Sequence, residues 1–60
     1  MTVLEIEREI RADGWYHVKT TGSHKHFKHP SKPGKVTIPQ HRGDLHPKTL
    51  DTIRKQAGLK

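Results

Sequence analysis

Two clusters of turn-forming residues, Thr21-Gly22-Ser23 and Pro30-Ser31-Lys32-Pro33-Gly34, cut the middle of the chain into three short runs. Glycine and proline at this density interrupt any helix, so the runs between them read as strands. Trp15 to Thr20 alternates with a period of two, which predicts Tyr16 and Val18 on one face and His17 and Lys19 on the other. His24 to His29 is the second run, with Phe27 inward and His24, His26 and Lys28 together on the opposite face. In the third, Lys35 to Pro39, Val36 and Ile38 face the core. Connections this tight join neighbouring strands into an antiparallel meander.

The flanking segments have a helical period. Thr2 and Glu5 stand at capping-box spacing, followed by an apolar stripe of Val3, Ile6 and Ile10 with Leu4 beside it. Glu5, Glu7, Arg8, Glu9 and Arg11 fill the other positions and read as a solvated face. Asp13-Gly14 ends this helix, and Trp15 folds back on its last turn as a core plug. Gln40 to His46 is a polar loop. Pro47 then opens a second helix whose stripe is Leu50, Ile53 and Ala57, and Gly58-Leu59 repeats the ending of the first. The predicted class is α+β: helix, three-stranded antiparallel sheet, helix, with both helices on one sheet face and residues 1–60 forming one domain.

The chain has no cysteine, so neither a disulfide framework nor a thiolate metal site stabilises its 60 residues. Only 28% of them are hydrophobic, which predicts a thin core and added stability from a partner that binds the folded form. Twelve Lys and Arg against six Asp and Glu leave a net charge of +6, and nucleic acid is the first partner such a surface suggests. No run is apolar enough to cross a membrane, no long basic amphipathic helix is visible to bind one, and no signal peptide is recognised, so a cytoplasmic location is expected.

Once the helices cover the inward positions, the outward sheet face should carry His17, Lys19, His24, His26, Lys28, Lys35 and Thr37. Such a surface suits a phosphate backbone. His24, at the mouth of a strand behind a Gly-Ser turn, reads either as an ordinary exposed polar residue or as an exposed general base. His26 is the second proton carrier to consider. Six histidines raise the question of metal, but no helical His-x-x-x-His pair exists and only Asp44 lies near them in sequence, so neither metal nor cofactor is expected. The carboxylates sit on or beside helices, which argues against paired-acid hydrolysis, and Ser23 has no evident base and orienting acid. The aromatic residues are expected inside, which gives no support for stacking of bases.

Gly14-Trp15, Gly22-Ser23-His24 with Phe27, His29-Pro30, Val36-Thr37-Ile38-Pro39, His41 and the Leu50–Leu59 segment with its Ile53-Arg54-Lys55-Gln56-Ala57-Gly58 run together resemble the HicA-type toxins. The resemblance covers nearly the whole chain. It implies a ribosome-independent toxin that cleaves mRNA, a fold like double-stranded-RNA-binding domains, and neutralisation by a HicB-type antitoxin. It also implies that His24 is the catalytic histidine. The chain departs from the family at Pro47-Lys48-Thr49-Leu50, where a Gly-Thr-Leu start to the second helix is common. The resulting expectation is a metal-independent RNA endonuclease, with His24 as acid or base and His26 as a possible second group. Lys19, Ser23, Lys25, Lys28 and Lys35 are its candidate RNA contacts. A non-catalytic RNA-binding module would use the same basic face, and a protein-interaction domain would turn it towards an acidic partner.

Overall fold

The computed structural model describes residues 1–60. Helix α1 (Val3–Ala12) is followed by strands β1 (Tyr16–Thr21), β2 (His24–Lys28) and β3 (Val36–Pro39), then helix α2 (Pro47–Gln56). The strands form one antiparallel sheet in the order β1-β2-β3. Phe27, Val36 and Ile38 on one face of it form a single core with Ile6 and Ile10 of α1 and Ile53 of α2. Both helices therefore lie on the same side, as the apolar periods predict.

Each helix stops where its sequence provides a stop. At the start of α1, Thr2 N–H donates to Glu5 Oε1 at 2.9 Å and Glu5 N–H donates to Thr2 Oγ1 at 3.3 Å, so two free donors are satisfied reciprocally. At its end Gly14 N–H donates to Arg11 O (3.0 Å) and Trp15 N–H to Ile10 O (3.1 Å). The same pair recurs after α2, from Gly58 to Lys55 (3.1 Å) and from Leu59 to Arg54 (2.8 Å). The N-cap of α2 is His46, whose Nδ1 accepts from Lys48 N–H at 3.1 Å.

The two helix ends meet. Trp15 is buried, and its indole Nε1 donates to Ala57 O at 3.2 Å. Lys32, in the second turn, bonds both the Asp13 carboxylate and Ala57 O. Arg54 holds Glu9 with two parallel bonds, Nε to Oε2 at 2.7 Å and a terminal nitrogen to Oε1 at 3.0 Å. Glu7 accepts from Arg11 at 3.1 Å and from Lys25 at 3.4 Å. The charge cluster on α1 is thus only partly solvated, since Glu7 and Glu9 tie the helix to the sheet and to α2.

Several expected placements are corrected. Tyr16 and Val18 do not face the core; they are 48% and 45% exposed. His17 is on the helix side instead, paired with Phe27 across the strands, its ring edge-on to the phenyl at 5.6 Å. The cause is Trp15. Once the end of α1 seats the indole in the core, alternation turns Tyr16 to the open face and His17 to the helix side, where it stays exposed at the sheet edge. A bulge at Val18 then inserts one residue, and Lys19 returns to the outward face opposite His26. Leu4 is also exposed, whereas Leu45, in the loop expected to be polar, is buried. Backbone pairing holds that loop against the N-terminal segment, Thr2 with Asp44 and Leu45 N–H with Met1 O at 2.8 Å.

Candidate functional site

The β1–β2 connection consists of Gly22 and Ser23 alone, because Thr21 and His24 are paired. Gly22 has φ +58° and no non-glycine residue has positive φ, the pattern of a primed turn with glycine first. This geometry matches the twist of the strands and starts β2 directly at His24. Pro39 of β3 lies on the other side of His24, and Gln40 N–H closes the end by donating to Ser23 O at 2.6 Å. The His24 imidazole is exposed and has no hydrogen-bond partner within the chain. Ser23 is exposed beside it.

Next along the same face is His26, between Lys19 and Thr37. It is half-buried, and its Nδ1 shares a hydrogen bond with Thr37 Oγ1 at 3.2 Å. Desolvation, followed by the charges of Lys35 and Lys19, holds its pKa below the ordinary imidazole value of 6.5. His26 is therefore neutral at neutral pH, suited to accept a proton. Lys28 and Tyr16 form the next cross-strand pair on this face, beyond His26. The surface is open, with no enclosed pocket, so it fits an extended polymer better than a small molecule.

Lys25 is placed elsewhere. It pairs with Ile38, faces the helices, and directs its ammonium to Glu7. The face thus unites His24, His26, Lys19, Lys28 and Lys35 of the expected site residues, with Ser23 at its turn, and leaves Lys25 out. No three His, Asp or Glu side chains are grouped as a metal site.

The family described as "HicA toxin of bacterial toxin-antitoxin" matches residues 4–59. The chain belongs to the HicA toxin family. Among solved structures it is similar to a chain described as "Toxin-Antitoxin complex from Streptococcus pneumoniae", at 35% identity and a TM-score of 0.82 over 98% of each chain. Comparison with curated proteins gives no match. No helix of this HicA-family chain is long and apolar enough to cross a membrane.

Sequence reasoning missed one histidine. His29, read as the end of a strand, is a lock on the fold, with its side chain only 8% exposed. Its Nε2–H donates to Asp13 O at 2.7 Å, and its Nδ1 accepts from Ser31 N–H (3.0 Å) and Lys32 N–H (3.1 Å). The ring also meets Trp15 edge-on at 5.2 Å. The available signal was the His-Pro step ahead of a turn, with an imidazole placed to cap the backbone that follows.

These shifts fix the direction of a pH effect. His26 has a lowered folded pKa, so between that value and 6.5 the unfolded chain binds more protons. Its contribution is complete above 6.5 and is lost as pH falls through the folded value. Glu9, lowered chiefly by Arg54, and Asp13, lowered chiefly by Lys32, behave likewise below the carboxylate range. The melting temperature is expected to fall from pH 7 to 5 and again below pH 4. Imidazole NMR should give His26 a midpoint under 6.5, and a midpoint at or above it would contradict the account.

Proposed function

We propose that this HicA-family chain is an endoribonuclease, a toxin that cleaves mRNA in the cytoplasm by proton transfer through His24, without a metal ion. The observation that carries this reading is the free imidazole of His24 at the edge of an open basic sheet face, in a chain of a toxin family. RNA brings its own nucleophile, so a small scaffold need only bind, align and move protons. A base takes the proton of the 2′-hydroxyl, and the 2′-oxygen attacks phosphorus. The bond to the 5′-oxygen breaks, and an acid returns a proton to that oxygen, leaving a 2′,3′-cyclic phosphate and a 5′-hydroxyl. His26 is neutral and suited to the base role, with His24 then delivering the proton to the leaving group. Lys19 and Lys35, whose charges act on His26, would steady the charge that develops on the phosphoryl oxygens. A HicB-type antitoxin is the proposed protein partner, covering this face. The similar chain in a toxin–antitoxin complex supports such a partner.

The test is incubation of purified protein with labelled single-stranded RNA in EDTA. Fragments ending in cyclic phosphate are expected, and intact RNA would overturn the reading. If about three to five phosphates are contacted, log K should fall with log salt at a slope of roughly −2 to −3.5. Lys19→Glu with Lys28→Glu should flatten that slope. Lys25→Glu should instead act on stability, because it sets two carboxylates against each other at Glu7. A salt-independent affinity would show that the basic face does not hold the phosphates.

A further inference from the structure

We propose that Tyr16 is a base-stacking platform, and that the RNA taken by this face is single-stranded with one unpaired nucleobase lying on the Tyr16 ring. The proposal rests on the ribonuclease reading above and adds to it a second subsite, which takes an unpaired nucleobase. Tyr16 stands outward, 48% exposed, on the face that carries His24, His26 and Lys19. Its hydroxyl makes no hydrogen bond within the chain, so folding leaves both the ring and its polar tip available. Its cross-strand neighbour is Lys28, an exposed cation able to meet the phosphate beside a stacked base.

The spacing separates this subsite from the proposed chemistry. Lys28 is four residues along β2 from His24, about 13 Å at the rise of a strand. A base on Tyr16 therefore belongs to a nucleotide away from the scissile one, and its role is to position the strand. Duplex RNA presents no free base face to a flat sheet, since its bases are already stacked, whereas an unpaired strand can turn one base onto an aromatic ring. An open sheet with an outward aromatic residue selects the unpaired form.

The test measures affinity for a short single-stranded RNA with 2′-O-methyl sugars, which supply no free 2′-hydroxyl and so cannot be cut. Tyr16→Ala is expected to weaken binding by about 5- to 100-fold. Tyr16→Phe, which keeps the ring, should stay within about threefold of wild type. Removing single bases in turn should identify one abasic position that costs as much as Tyr16→Ala, and the two losses should not add. The same sequence as a duplex should bind equally to wild type and Tyr16→Ala. Circular dichroism checks that the variants are folded. A wild type that cuts RNA beside a Tyr16→Ala that binds the single strand equally well overturns this proposal alone, leaving Tyr16 as cover for the Lys28 stem. A wild type that neither binds nor cuts single-stranded RNA overturns the ribonuclease reading and this one with it.

Discussion

Replacing His24 with alanine is expected to lower RNA cleavage by about 10²–10⁴-fold, the usual cost of one general acid or base. The fold and RNA affinity should survive, because the side chain is exposed and bonded to nothing else in the chain. Single-turnover rates on labelled RNA, with circular dichroism as a control, make the measurement. A substrate with a 2′-deoxy sugar at the scissile position should bind and resist cutting, since its nucleophile is gone. His26→Ala separates the two histidines. If His26 is the base, its loss should remove the acidic limb of the pH–rate profile, whereas a purely structural role would leave the profile's shape unchanged. A His24→Ala protein that cuts at the wild-type rate would sink the mechanism.

Gly14→Ala is expected to have the largest effect on stability. Gly14 has φ +111°, outside the range comfortable for other residues, which costs about 1–3 kcal/mol. An added Cβ would also stand 2.7 Å from His29 Nε2, the nitrogen that donates to Asp13 O. The imidazole cannot simply step aside, because its other nitrogen holds the backbone of Ser31 and Lys32. Displacing it forfeits hydrogen bonds worth roughly 0.5–1.5 kcal/mol each. The sum approaches the roughly 3–5 kcal/mol that a core of this size supplies. Gly14→Ala should therefore be largely unfolded at 37 °C. Gly22→Ala is the control: its φ is +58° and an added Cβ meets nothing within 4 Å, so only backbone strain of about 1–2 kcal/mol is expected. Urea denaturation of Gly14→Ala, His29→Ala and the double variant should give less-than-additive losses. Strict additivity would show that the ring and the missing Cβ do not compete for space.

The parts of the fold legible in the sequence are those specified locally. Thr2 with Glu5, Gly14 with Trp15, and Gly58 with Leu59 cap their helices through bonds that span a few residues, so spacing alone reveals them. Gly22-Ser23 fixes a two-residue hairpin in the same way, which is why His24 could be placed at the strand mouth. The facing of β1 was misread: a buried Trp15 already implies an outward Tyr16, and only the bulge lay beyond the sequence. Tyr16 and Val18 carry an inward pattern, but the buried Trp15 sets the phase and the bulge at Val18 belongs to a pair of strands. The role of Lys25 was hidden for a related reason, since Glu7 comes within reach only after α1 packs on the sheet. His29 and Leu45 were missed because their partners, Asp13 O and the N-terminal segment, are distant in sequence.

Strand β2 joins two unlike ends. Past Lys28 comes His29, locked against Asp13 and Trp15, while His24 opens the strand without a side-chain bond. About 16 Å of strand separates the two histidines. The end that holds the molecule together thus has no share in the end proposed to do the chemistry. Substitutions at the His24 end can therefore change rate or recognition at little cost in folding, whereas those around His29 act on the fold itself.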